Sequence, residues 1–154
     1  MTMLDYHALD KARRDYWRDS IATQAWSAAD FLANMLAEER FYGSLGEDAH
    51  LLLAVDGDRL MGFCTYAHQD EIPAPELFPW IGFVYVAPEY RGNRLSGSLI
   101  DQTCALARRD GHRRVYLSTD HEGLYEKYGF VFCRNMLNYR GNPCRVYTRA
   151  LYQF

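Results

Sequence analysis

Three stretches carry side chains or backbone able to do chemistry. Residues 84–100, VYVAPEYRGNRLSGSLI, run from an apolar segment through a glycine-bearing turn into a helical pattern. Such a turn after a strand presents backbone N–H groups at a helix N-terminus, an arrangement that holds phosphate. The same letters also make an ordinary strand-to-helix connection. The second stretch, LSTDHEGLYEKYGFVF at residues 117–132, carries Tyr125 and the run Ser118-Thr119-Asp120-His121. That run has the residue types of a hydrolase triad, but adjacent residues rarely converge in that geometry, and no nucleophile elbow is present. The third stretch is the loop 69–79, with three prolines and the acids Asp70, Glu71 and Glu76. Asp70 and Glu71 could draw a proton through water or attract a cation; an acidic loop also reads simply as solvated surface. His68 and His121 are further candidates, although a lone histidine is more often structural. The four cysteines include no C-x-x-C pair, and no His/Glu/Asp cluster suggests a metal site.

These segments need elements to position them. The chain has 154 residues, 49% hydrophobic and 24% charged, which predicts one globular domain spanning residues 1–154. Its net charge of -3 gives no reason to expect a nucleic-acid partner. The N-terminus lacks the apolar stretch of a signal peptide, and no apolar run approaches the ~20 residues of a membrane span. The expectation is a soluble cytoplasmic protein with free thiols. Aromatic residues make up 15% of the chain, a figure that a well-packed core accounts for.

Leu9, Ala12, Tyr16 and Trp17 fall at helical spacing. A second helix is expected from an N-cap at Ser27, with Phe31, Leu32, Met35 and Leu36 on one face and Gly43 and Gly46 at its end. Met1 to Asp5 shows little strand signal. Leu51–Val55 and Leu60–Ala67, separated by Asp56-Gly57-Asp58, predict a hairpin. Trp80–Val86, apolar on both faces, reads as a central strand. A helix from about Arg94 to Asp110, ended by Gly111, leads to a strand at Val115–Ser118. Together these make a βαβ unit with parallel strands. A short helix over His121–Tyr128 and a strand pair, Val131–Tyr139 and Arg145–Tyr152, complete an α/β (α+β) mixed sheet with helices on both faces.

Two of the segments together resemble the GNAT superfamily of acyl-CoA-dependent N-acyltransferases. The family pattern V-x-P-x-x-[QR]-x-x-G-x-[GA] corresponds to Val86 through Ser96, and [FL]-Y-x-K-x-G-F corresponds without mismatch to Leu124 through Phe130. The resemblance covers roughly residues 50 to 152. It implies a mostly antiparallel sheet with one parallel unit, and acetyl-CoA as donor. It also implies that main-chain groups of Val84, Tyr85 and Val86 hold the pantetheine arm. Arg91, Gly92, Asn93, Arg94, Leu95, Ser96 and Gly97 would then form the diphosphate cradle. Arg94 and Ser96 stand where the family has glycine or another small residue. Ser118 falls where the family commonly has Asn. Tyr125 matches the residue that protonates the departing thiolate. Phenol and thiol have ordinary pKa values of about 10 and 8.5, close enough for transfer.

The expected activity is transfer of an acetyl group from acetyl-CoA to a primary amine, most readily that of a small molecule. The acids Asp70 and Glu71 would stand beside that amine. Two alternatives stay open: a GNAT-fold module that binds acyl-CoA without turnover, and an acetyltransferase of protein or peptide amines. A homodimer could form along the aromatic C-terminus, Tyr147 to Phe154. Neither nucleic acid nor membrane is expected as a partner.

Overall fold

A computed structural model describes residues 1–152. The described residues form one seven-stranded sheet. Its strands are β1 (Thr2–Asp5), β2 (His50–Asp56), β3 (Arg59–Ala67), β4 (Trp80–Val86), β5 (Arg114–Thr119), β6 (Val131–Leu137) and β7 (Pro143–Ala150). Their spatial order is β1-β2-β3-β4-β5-β7-β6. Every neighbouring pair is antiparallel except β4 and β5, which run parallel. Four helices accompany the sheet: α1 (Lys11–Ala22), α2 (Ser27–Ala37), α3 (Phe41–Leu45) and α4 (Leu95–Arg109).

The alternation of apolar residues along β2 and β3 decides which helices cover which face. Leu51, Leu53, Val55 and Phe63 pack with Trp17 and Ile21 of α1 and Leu32 of α2. Leu52, Ala54 and Cys64 point the other way, onto Leu95 and Leu99 of α4. α1 starts at Asp10, whose side chain accepts a hydrogen bond from the Arg13 N–H at 2.9 Å. Such a cap contributes about 1 kcal/mol. α4 ends at Asp110, and Gly111 follows at φ +85°, the left-handed conformation that a helix-ending glycine supplies.

Several local expectations change. A first strand exists: β1 pairs with β2 from Thr2↔Val55 to Asp5↔Leu52, and His50 Nδ1 lies 2.7 Å from Asp5 Oδ2. Four residues are too few to show strand alternation, and the pairing comes from the exposed edge of β2. Ser27 is not the N-cap. Trp26 occupies that position, and no side chain caps α2. The helix ends at Ala37, so Gly43 falls inside the separate short helix α3, with Gly46 closing it. Between β5 and β6 only Tyr125–Tyr128 is helical, as a single 3-10 turn. Finally, β7 lies between β5 and β6. Tyr147 and Thr148 are therefore paired on both sides, whereas Arg149 and Ala150 pair with β5 alone, and Gln153 and Phe154 lie outside the described residues.

Candidate active site

β4 and β5 pair only where they begin, at Trp80↔Tyr116, with the Tyr116 N–H donating to Pro79 O at 3.0 Å. Beyond that point they separate. The cause lies in β4, which carries an extra residue opposite β3 between the Phe63 and Thr65 registers. At this bulge Phe83 adopts φ +49°, an unusual value for an aromatic residue. Such conformations cost roughly 1–3 kcal/mol and concentrate at functional sites. The separation leaves the facing main-chain groups of β4 without a strand partner.

A cleft of about 750 Å³ opens there. It gathers Val84 of β4, Ser118 of β5, Tyr125, and the loop acids Asp70 and Glu71. Tyr125 is buried, edge-on to Phe130 at 6.2 Å, and its hydroxyl makes no hydrogen bond among the described residues. Burial pushes its pKa up to about 12, so the phenol stays protonated. Ser118 Oγ is buried without a partner. An orphaned hydroxyl on a cleft wall is free to bond a ligand.

Asp70 is set by its surroundings. Its Oδ1 lies against Gly82, where a Cβ would overlap it. The buried, unpartnered Thr65 Oγ1 flanks the same face of Gly82. Desolvation, with a smaller contribution from the Glu71 charge, raises the Asp70 pKa to about 7. Glu71 is held differently. The Cys144 thiol donates to its Oε1 at 3.2 Å, and the Tyr139 N–H donates to its main-chain oxygen at 3.1 Å. The loop is thus fastened to the turn after β6 and to β7, with Glu71 itself exposed. All four cysteines are free thiols.

The turn from β4 into α4 is the second part of the site. Arg91, Gly92, Asn93 and Arg94 are exposed, while Leu95 and Gly97 are buried. Arg91 Nε donates to Val86 O at 2.9 Å, bracing the end of β4. Gly92 takes φ +89° and Arg94, the N-cap of α4, takes φ +57°. No side chain caps α4, so the N–H groups of Leu95, Ser96 and Gly97 are unpaired donors. Neither Arg91 nor Arg94 has a carboxylate partner among the described residues. The uncapped turn and two unpaired guanidiniums suit a diphosphate.

The side chains around these segments lie as follows. The Tyr85 ring stacks on Trp26 at 5.2 Å, and its hydroxyl donates to Gln24 Oε1 at 3.1 Å. The Val86 side chain packs with the α4 face. Trp80 is core, packed with Ile72 and Leu77. Arg91 to Gly97 do not line the cleft; they begin where its β4 wall ends. His68 stacks on Phe78 at 4.2 Å and lines a separate cavity of about 590 Å³, which holds none of the motif residues. His121 does reach the cleft.

The cleft also has residues that no motif marks. Phe31, grouped by spacing with the packed face of α2, is 48% exposed and lies parallel to Phe83 at 6.4 Å. Trp26, Asp120 and Tyr139 complete this part of the wall. Of these, only Asp120 lies in a stretch that the sequence singles out. Among the described residues no group of side chains could hold a metal, and no helix is long and apolar enough to cross a membrane.

The same architecture occurs in solved structures. Over 100% of this chain and 99% of the other, it is similar to an aminoglycoside 6'-N-acetyltransferase complexed with coenzyme A, with TM-score 0.70 and 16% identity. Coverage is again 100% and 99% for the aminoglycoside 6'-N-acetyltransferase from Enterococcus faecium, with TM-score 0.70 and 17% identity. The yncA structure of Salmonella typhimurium, with its cofactor acetyl-CoA, has TM-score 0.60 and 16% identity over 100% and 95%. Identities this low speak for the fold alone. No curated protein matches the chain. Residues 9–130 match the Acetyltransferase (GNAT) family, and by that match the chain belongs to it.

Proposed function

We propose that this protein transfers an acetyl group from acetyl-CoA directly to a primary amine of a small molecule. The observation that carries this reading is the convergence in one cleft of a phenol held protonated and a carboxyl with a pKa near neutrality. Groups whose surroundings push their pKa values apart suit acid and base roles.

The donor's fit rests on the separated strands, the orphaned Ser118 hydroxyl and the uncapped α4 turn. When bound, acetyl-CoA supplies the thioester carbonyl. An N–H on the free edge of β4 stabilises negative charge developing on the carbonyl oxygen. Ser118 Oγ bonds the pantetheine arm. Arg91, Arg94 and the N–H groups of Leu95 to Gly97 hold the diphosphate. Asp70 takes the proton that the amine must lose, and Tyr125 Oη gives one to the sulfur that departs. Glu71 and Asp120 attract a cationic acceptor. An amine-bearing small molecule suits these acids, and the aminoglycoside acetyltransferases of the same fold act on compounds of that kind.

The test is incubation with acetyl-CoA and an amine panel, read by acceptor mass shift and thiol release. A gain of one acetyl group on a small amine is expected. Failure to bind acetyl-CoA overturns the reading. Acetylation of peptide amines alone moves the acceptor class. Tyr125→Phe separates an enzyme from a silent binding module: turnover should fall about 100-fold with acetyl-CoA affinity retained.

A further inference from the structure

Tyr128 touches every irregular residue of the first turn of α4. The Arg94 guanidinium lies 5.5 Å from its ring centroid. Ser96 Oγ and the Tyr128 hydroxyl are 3.0 Å apart, within hydrogen-bond distance. Its ring also fills the space over Gly97, where a Cβ would come within 2.7 Å of the ring edge. Arg94 and Ser96 are the two positions that bring side chains into a turn built from backbone donors. Both are seated on this one ring, 32 residues away from Ser96 in sequence.

We propose that Tyr128 is a positioning residue for the diphosphate cradle, an inference that rests on the donor-binding reading above. Its ring holds the Arg94 guanidinium beside the free N–H groups of α4. A cation over an aromatic face is stabilised, and the delocalised guanidinium keeps its in-plane donors available. Its hydroxyl engages Ser96 Oγ. That hydroxyl is consequently drawn away from the neighbouring N–H groups, which stay open to phosphate oxygens. Arg94 has no carboxylate among the described residues to orient it, so the ring does this instead. The left-handed Arg94 cap and the Gly97 contact fix the close approach that this seating needs.

Coenzyme A binding tests this by titration calorimetry, with no acceptor required. Tyr128→Leu removes ring and hydroxyl together, and the dissociation constant should rise about 10-fold. Tyr128→Phe and Ser96→Ala each remove one end of the same hydrogen bond. Each should weaken binding about threefold, and the double variant should be no weaker than either single, because the two changes delete one interaction. Pantetheine, which lacks the diphosphate, should compete equally well against all variants and the parent. A merely structural Tyr128 would lower the melting temperature and leave the coenzyme A constant unchanged. That result, additive effects in the double variant, or equal losses for pantetheine would each overturn the proposal. A parent protein that binds no coenzyme A would instead overturn the donor reading itself.

Discussion

The reactivity proposed for the cleft depends on two side chains whose environments differ. Asp70 sits against Gly82 beside an unpartnered hydroxyl, and loss of solvent raises its pKa to about 7. The ionised form, able to accept a proton, grows as pH rises through that value. Acetylation rate at saturating donor should therefore climb between about pH 6 and 8, and Asp70→Asn should flatten the profile while lowering the rate at least 10-fold. The stability effect has the opposite sense. An acid whose folded pKa exceeds its unfolded value of 3.8 destabilises the fold as pH rises from about 4 through 7. Thermal melts should show Asp70→Asn more stable than the parent at pH 8, with the difference vanishing near pH 4. A rate that falls over pH 6–8, or an Asn variant with equal loss at both pH values, would contradict this account of Asp70.

Among the elements, α4 joins the proposed diphosphate cradle to the core. Its first turn is exposed through Arg94, whereas Leu99 is fully buried against Leu52 and Cys64. Arg94 holds φ +57°, where glycine would carry no steric penalty. Arg94→Gly should therefore shift stability by less than about 1 kcal/mol, since relief of strain offsets glycine's greater unfolded freedom. It should nevertheless weaken coenzyme A severalfold by removing an unpaired guanidinium. Leu99→Ala should do the reverse, with a loss of about 2–5 kcal/mol on denaturant unfolding and coenzyme A affinity unchanged in the molecules that remain folded. If Arg94→Gly left coenzyme A binding untouched, the guanidinium would have no part in the cradle.

For the molecule as a whole, the sheet is both scaffold and site. Apolar clusters on both faces hold β4 in the middle, and the cleft opens where β4 parts from β5. A ligand that binds across this opening adds its binding energy to folding. A hundredfold excess of acetyl-CoA over its dissociation constant should add about 2.7 kcal/mol, visible as a rise in melting temperature. The ion pairs of α1, such as Lys11–Asp15, lie at the surface and contribute little. Raising salt should accordingly leave the unliganded melting temperature almost unchanged while weakening coenzyme A binding.

Much of this was legible along the chain because its causes are local. A two-residue period marks the β2–β3 hairpin, and a turn glycine and helical spacing mark α4. The paired segments around Arg91 and Tyr125 are contiguous strings, and together they carry the resemblance to the GNAT superfamily. What escaped has non-local causes. β1 forms because β2 offers an edge, and β7 enters between β5 and β6 because two antiparallel ladders close there. The Tyr85 ring meets Trp26 because the residue on each face depends on register and on the bulge at Phe83. Asp70 and Glu71 are equal candidates along the chain, and only the missing side chain of Gly82, which makes room for Asp70, sets them apart. Ser96 and Arg94 look like defects in a glycine turn until Tyr128, far along the chain, is seen to receive them. Local periodicity thus names most of the elements, and two contiguous motifs name the family. The surroundings of the side chains proposed to react arise from burial and contact between segments distant in sequence, which the folded sheet alone creates.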